Sequence, residues 1–276
     1  MPKKIKTEHQ RREYATQGVS SVDGMLQSGA ISVLWSLMEL QDYFNINGHI
    51  AEIGVHQGKL LLFLSHWLNE GEISTGVDVF GNPPGSNTRD IKNFASNVTR
   101  LGFEKDSVNL VIKDSLLLRD EDITSLFGGR TVRMFSVDGD HSKDAVINDL
   151  VFATKSLCEG GVIIADDIFN AWYPAVTEAI YEILEKNREQ GLEPIGFIAA
   201  NGPLETGASK LLVSLRSHAK KYKAGLKLLN QDNLKHCDSF AGYKDVPFFC
   251  FDGEPIKRPL KGFVKDILAE IVKSQK

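Results

Sequence analysis

Short apolar runs alternate with stretches of helical periodicity between residues 49 and 190, and this alternation constrains the fold more than any other feature of the sequence. The apolar runs predict five strands, at 49–55, 72–80, 107–114, 131–138 and 161–166. Helical stretches follow them at 59–68, 90–101, 120–126, 144–157 and 174–190. Strand–helix units in series require a parallel sheet with right-handed crossovers and helices on both faces. We therefore predict a doubly wound α/β fold.

The segments on either side of this region are less regular. Residues 194–200 and 210–215 are two apolar runs close in sequence, which predict an antiparallel hairpin at the edge of the sheet. Residues 1–24 are polar and predict a flexible arm, and an amphipathic helix follows over 30–44. Residues 246–251 are a candidate strand.

An apolar stripe at helical spacing from Leu260 to Ile271 predicts a last helix, which packs on the main domain or forms a dimer contact. We accordingly divide the chain into an accessory N-terminal arm and helix (1–48), a main domain (49–215) and a C-terminal extension (216–276).

Composition narrows the class of protein. The 276 residues carry 36 acidic and 32 basic side chains, a net charge of −4 that disfavours nucleic-acid binding. Three cysteines without a CxxC pair exclude a disulfide framework and a thiolate zinc site. The polar N-terminus does not resemble a secretory signal, and no 18-residue apolar run is present. We expect a cytoplasmic protein with a small-molecule partner and no nucleic-acid or membrane partner. Whether it forms a homo-oligomer is left open by the sequence.

Acidic residues gather near the carboxyl ends of the predicted strands. Ligands of open α/β sheets bind beyond these strand ends. The acidic residues in question are Glu52, Asp78, Asp114, Asp138, Asp140, Asp166 and Asp167.

The first strand ends in a glycine turn, Glu52-Ile-Gly54-Val-His-Gln-Gly58. It lacks the G-x-G-x-x-G fingerprint and a Walker lysine, so NAD and ATP are disfavoured. Asp78 ends the second strand, where an acid can accept both hydroxyls of a ribose; the alternative is a solvated loop aspartate. Asp114 and Ser115 follow the third strand and either approach an adenine ring or cap the next helix.

Several of these segments carry a family resemblance. They are AEIGVHQG at 51–58, Val77-Asp78, FSVDGDHSKDAVINDL at 135–150, and GGVIIADDI at 160–168 with PAVTEAI at 174–180. Over about residues 20–215 the chain resembles the class I S-adenosylmethionine-dependent methyltransferases. More narrowly, it resembles the branch with macrocin-type sugar O-methyltransferases and cephalosporin-hydroxylase-like proteins.

The resemblance implies a Rossmann-like sheet of seven mostly parallel strands and a bound S-adenosylmethionine. The residues implied to hold this cofactor are Glu52, Gly54, Val55, Gly58, Asp78, Asp114, Ser115 and Asp138. The resemblance also makes the fourth and fifth strands neighbours, so the carboxylates of Asp138, Asp166 and Asp167 would converge. Such oxygens suit Mg²⁺ or Ca²⁺, and His141 keeps Mn²⁺ or Fe²⁺ open. The alternative is that these acids cap helices or bind loop amides.

The implied function is an S-adenosylmethionine-dependent, Mg²⁺-assisted O-methyltransferase of a small hydroxylated molecule such as a sugar. Family similarity makes Asp140 the catalytic base. His141 either competes for that role, because its ordinary pKa is near 6.5, or orients a carboxylate or contacts the methyl donor. Trp172 and Tyr173 either form an aromatic wall for the acceptor or pack in the core. The rival functions are a cephalosporin-hydroxylase-like protein and a non-catalytic S-adenosylmethionine-binding module.

Overall fold

The computed structural model describes residues 3–104, 106–129, 131–186, 188, 191–199, 209–250 and 269. The helices of these ranges are α1 (Glu8–Thr16), α2 (Ser28–Tyr43), α3 (Lys59–Ser65), α4 (Thr88–Arg100), α5 (Asp120–Phe127), α6 (Lys143–Ser156), α7 (Pro174–Lys186) and α8 (Arg216–Leu229). The strands are β1 (His49–Ile53), β2 (Ser74–Asp78), β3 (Val108–Ile112), β4 (Val132–Val137), β5 (Leu157–Ala165), β6 (Leu192–Ile198), β7 (Lys210–Leu215), β8 (Leu234–Phe240) and β9 (Tyr243–Phe249). The side chains of the predicted apolar stripe between Leu260 and Ile271 all lie outside the described residues.

All of these strands form one sheet, in the order β3-β2-β1-β4-β5-β7-β6-β9-β8. β1 to β5 are mutually parallel, and β7 runs antiparallel to β5, with Ala165 opposite Leu211. The predicted doubly wound, mostly parallel sheet with an antiparallel hairpin is therefore confirmed. The strand order reverses between β1 and β4, which places a crevice at the carboxyl ends of these two strands.

The sheet has nine strands in the described residues, not the seven that the sequence suggested. The β6–β7 hairpin is consequently not at the edge, because β9 pairs in parallel with β6 through Phe197 and Phe248. Val246 and Phe249 of β9 are fully buried. Adding β9 and β8 removes apolar surface from water and supplies partners for the backbone edge of β6.

The N-terminal residues form helices that belong to the core. Thr7 and Gln10 form a reciprocal capping box at the start of α1, so part of the predicted flexible arm is helical. Tyr14 of α1 is buried, and Leu34 and Leu37 of α2 are fully buried. The predicted amphipathic helix is thus α2, and it packs in the same apolar cluster as the sheet.

Helices cover both faces of the sheet. One apolar cluster joins the sheet to α1, α2, α3, α4 and α8, and the other joins it to α5, α6 and α7. Neighbouring strand residues alternate between them: Ile50 belongs to the first cluster and Ala51 to the second. None of the helices in the described ranges is long and apolar enough to cross a bilayer.

Candidate active site

Four strand ends meet at one edge of the sheet, around the reversal of strand order. β1 and β4 are neighbours, and β2 and β5 flank them, so the residues after these strands lie close together. Predicted site residues at this edge are Glu52, Gly54, Val55, Asp78, Asp138, Asp140, His141, Asp166 and Asp167.

Gly54 brings the turn after β1 into backbone contact with the residue after β4. Its φ is +85°, and a Cβ at this position would lie 1.7 Å from the carbonyl oxygen of Asp138. The amide of Asp138 donates to the carbonyl of Ile53 at 2.9 Å. A glycine is therefore required here both by its left-handed conformation and by the close approach of β4.

The Asp78 carboxylate organises the glycine turn. Its Oδ2 accepts hydrogen bonds from the amides of Val55 and His56, each at 2.8 Å, and its Oδ1 accepts from the amide of Phe80 at 2.7 Å. A carboxylate has about four acceptor positions, so three are used and one is left. The half-buried Asp78 can thus hold the turn and still accept a hydrogen bond from a ligand hydroxyl.

The predicted adenine-side residues make local contacts. Asp114 Oδ1 accepts from the amide of Leu116 at 2.9 Å, which is the capping arrangement that the sequence left open. Ser115 Oγ donates to Asp149 Oδ2 at 3.1 Å. Burial raises the pKa of Asp149 to about 6. Gly58 is the N-cap residue before α3, with φ +88°, and packs against Phe94, so its role in the structure is to let the helix start close to α4.

A lysine lies among the acids of this edge. The ammonium group of Lys210 donates to Asp166 Oδ2, and both side chains are buried. Burial lowers the pKa of Lys210, but the negative charges of Asp166, Asp138 and Glu52 outweigh it and raise that pKa overall. Burial raises the pKa of Glu52 to about 8. Burial, followed by the charge of Asp166, raises the pKa of Asp138 well above its usual range.

Sequence reasoning missed Lys210. β7 is antiparallel to β5, so its first residue lies at the same edge as the end of β5; Ala165 opposite Leu211 makes Asp166 and Lys210 neighbours. A signal was available, because Lys210 is a charged residue at the start of the apolar run Lys-Leu-Leu-Val. Its partner could not be identified without the strand pairing.

One set of side chains has the arrangement of a metal site. Asp138, His141 and Asp167 each offer a ligand atom, and these atoms lie within 4.8 Å of one another. His141 Nε2 lies 2.6 Å from Asp167 Oδ2. Two carboxylates and an imidazole are a donor set that fits a divalent cation. Asp166, the third ligand expected from the sequence, is directed to Lys210, and its Oδ1 accepts from the amide of Asp167.

The two predicted bases differ in their surroundings. Asp140 is exposed, and its Oδ1 accepts from the amide of Ser142 at 2.7 Å. Hydrogen bonds from the hydroxyl and amide of Ser142 lower the pKa of Asp140, which makes it a weaker proton acceptor. His141 is half-buried, contacts Asp167 and stacks on Tyr173 with ring centroids 3.9 Å apart. The geometry thus places His141 among the candidate metal ligands and leaves Asp140 outside that group.

The part of the chain that contains this candidate site is also the part that matches a known protein family. Residues 51–168 match the sequence model of a family described as a methyltransferase domain. This match covers both the glycine turn and the acids after β4 and β5. No curated protein matches the sequence.

Solved structures share the fold at low identity. The O-methyltransferase from Bacillus cereus, solved with SAH, is 16% identical with a TM-score of 0.52 over 76% of this chain and 92% of its own. The cofactor-bound Rv0187 from MTB is 16% identical, with a TM-score of 0.53 over 75% of this chain and 89% of its own. The O-methyltransferase TomG from Streptomyces achromogenes, solved with SAM, is 16% identical, with a TM-score of 0.50 over 76% of this chain and 92% of its own. These similarities establish a Rossmann-like methyltransferase fold.

Proposed function

We propose that the chain is a class I S-adenosylmethionine-dependent methyltransferase, as the methyltransferase-domain match over residues 51–168 supports, and that it methylates a hydroxyl group of a small molecule with the help of a divalent cation. The observation that carries this proposal is the contact between Gly54 and Asp138. This contact places the glycine turn, which would hold the methyl donor, beside Asp138, one of the candidate ligands of the cation that would hold the acceptor. The Bacillus cereus and Streptomyces achromogenes neighbours are O-methyltransferases, which supports oxygen as the methylated atom.

The residues around the glycine turn suit a cationic nucleoside. The free acceptor position of Asp78 suits a ribose hydroxyl. Glu52, Asp138 and Asp166 lie near the ammonium group of Lys210, and a sulfonium bound beside these three carboxyl groups would favour their ionised forms. S-adenosylmethionine, when bound, supplies an electrophilic methyl group for direct displacement.

Asp138, His141 and Asp167 would hold the divalent cation. Mg²⁺ is our first choice, and the imidazole nitrogen admits Mn²⁺ or Fe²⁺. Such a cation lowers the pKa of a coordinated acceptor hydroxyl.

The chain's own residues would then move the proton. Asp167 orients the imidazole of His141 through their 2.6 Å contact, and His141 Nε2, assigned to the cation, would not be free to take the acceptor proton. The stacked ring of Tyr173 restricts the orientation of His141. Asp140, one residue away, in contact with solvent and outside the candidate ligand group, would then take the acceptor proton. General-base catalysis of this kind contributes about 10²–10⁴ in rate.

Calorimetric titration with S-adenosylmethionine tests the first part of the proposal. The Asp78→Ala variant is expected to bind about 10- to 100-fold more weakly, because it loses charge-assisted hydrogen bonds. Asp238→Ala, at an exposed position on β8, is the matched control and should bind like the native protein. Unchanged binding by Asp78→Ala would refute the cofactor assignment.

Transfer of labelled methyl groups to a panel of hydroxylated acceptors tests the rest. We expect methylated product that disappears in EDTA and returns with Mg²⁺ or Mn²⁺. Undiminished transfer in EDTA would remove the metal from the proposal and leave the transferase. Tight cofactor binding without transfer to any acceptor would favour the non-catalytic binding module.

A further inference from the structure

Trp172 is exposed beside the candidate active site. It leaves 79% of its surface in solvent, whereas Trp35 and Trp67 are 4% and 1% exposed. An unpacked indole forgoes a large favourable burial, because aromatic side chains contribute much of the hydrophobic stabilisation of cores. Exposed apolar side chains of this size often mark a binding surface when they adjoin a functional site.

The position of Trp172 is held by hydrogen bonds that lead to the candidate metal ligands. Its amide donates to Asn170 Oδ1 at 2.9 Å. Asn170 is buried, and its Nδ2 donates to Asp167 Oδ1 at 3.0 Å. The backbone of Trp172 is therefore connected to Asp167 through one side chain.

Two further aromatic side chains of the same loop are partly exposed. Tyr173, 42% exposed, stacks on His141, and Phe169, 51% exposed, stacks on Phe197 at 5.3 Å. We call Phe169, Trp172 and Tyr173 the aromatic loop. Tyr173 and Phe169 each use one ring face on a protein partner, whereas the large exposed surface of Trp172 is available to a ligand.

We propose that Trp172 determines acceptor specificity by stacking on a ring of the acceptor, so that the acceptor is a hydroxylated ring compound. The inference rests on the proposed function, since it assigns the acceptor class of the same site. A flat partner buries the most surface against an indole, and stacked ring pairs add a directional contribution beyond burial. Aromatic and carbohydrate rings both offer such a face. They also carry a hydroxyl group that the cation held by Asp138, His141 and Asp167 would bind.

A binding measurement tests the inference without turnover. Trp35 and Trp67 are buried, so iodide quenching of tryptophan fluorescence reports mainly on Trp172. With S-adenosylhomocysteine and Mg²⁺ present, we expect a ring diol to protect Trp172 from iodide and propane-1,2-diol to leave the quenching unchanged. Catechol and methyl β-D-glucopyranoside are the two ring probes, and the one that protects identifies an aromatic or a carbohydrate acceptor. Quenching that neither ring probe reduces at millimolar concentration overturns the inference.

Kinetics with the best acceptor of the panel supply a second test. Trp172→Ala is expected to raise KM for the acceptor about 10-fold, which corresponds to about 1.4 kcal/mol, and to change kcat by less than about twofold. Trp172→Phe keeps a ring and should recover most of the loss. Tyr181→Ala, an exposed aromatic position on α7, is the matched control and should leave KM unchanged.

Failure of this inference can be told from failure of the proposed function. If S-adenosylmethionine binds and methyl transfer proceeds while Trp172→Ala leaves KM unchanged, the acceptor assignment alone is wrong. If the cofactor does not bind at all, the proposed function is wrong. An equal KM increase in Trp172→Ala and Trp172→Phe would also count against stacking.

Discussion

The Lys210 ammonium group donates a hydrogen bond to the Asp166 carboxylate, and the pair is buried at the edge where β4 and β5 end. The pair links an antiparallel strand to the parallel part of the sheet. It also supplies a positive charge among Glu52, Asp138 and Asp166. Asp166 thereby differs from Asp167, which faces His141.

Removing the ammonium group should destabilise the fold. We expect Lys210→Met to lower the free energy of unfolding by about 3–5 kcal/mol, because Asp166 is left buried and unpaired. The double variant Lys210→Met with Asp166→Asn should recover part of this loss. Lys227→Met breaks a partly exposed pair with Asp245 and should cost about 1 kcal/mol or less. Urea denaturation measures all three, and a loss below about 1 kcal/mol for Lys210→Met would contradict a structural role of the buried pair.

A methyl group at position 54 should disturb both the turn and Asp138. The left-handed backbone makes Gly54→Ala unfavourable by about 1–2 kcal/mol, and the clash with the Asp138 carbonyl adds about 1–3 kcal/mol. Gly128→Ala is the control, since Gly128 has φ +59° and no atom within 4 Å of its Cβ position. Thermal unfolding of both variants and calorimetry with S-adenosylmethionine check this. Equal effects of the two substitutions would show that the contact with Asp138 is unimportant.

Stability should fall as pH rises, in part through Glu52. Burial raises its pKa from 4.5 to about 8, so the folded state holds the proton more tightly than the unfolded chain. This contribution is complete below pH 4.5, declines between pH 4.5 and about 8, and is lost above that. Glu52→Gln should flatten the curve in this window by up to about 1.4 kcal/mol per pH unit.

Asp149→Asn is a useful comparison for the pH measurement. The pKa of Asp149 is raised from 3.8 to about 6, so its substitution should change the slope only below about pH 6. Denaturation at a series of pH values gives both curves. A Glu52→Gln curve parallel to that of the native protein would refute the assignment to Glu52.

Metal affinity should depend on Asp167 more than on Asp166. Asp167→Ala and His141→Ala are each expected to weaken Mn²⁺ binding at least about 10-fold, since both side chains belong to the candidate ligand group. Asp166→Asn should weaken it less, because that carboxylate is directed to Lys210. Titration with Mn²⁺, monitored by electron paramagnetic resonance, gives the affinities. Equal losses for Asp166→Asn and Asp167→Ala would instead support the ligand set Asp138, Asp166 and Asp167.

The sequence alone determined the fold class and the edge of the sheet where the site lies. Apolar runs such as 161–166, separated by helical periodicity, leave a parallel sheet as the arrangement that buries them. The carboxyl ends of parallel strands then meet at one edge, so Asp78, Asp138 and Asp167 were expected there together. These features can be predicted because the burial of a strand and the direction in which it runs follow from short stretches of the sequence.

Tertiary structure decided how the acids are used. The pairing of β7 with β5 brings Lys210 to Asp166 from 44 positions away along the chain, and this pairing depends on the whole order of the sheet. The exposure of Trp172 and the extension of the sheet by β8 and β9 were likewise undetermined. In each case the outcome depends on which strands and side chains pack against one another. Those contacts join residues far apart in the sequence and form only when the helices and strands assemble.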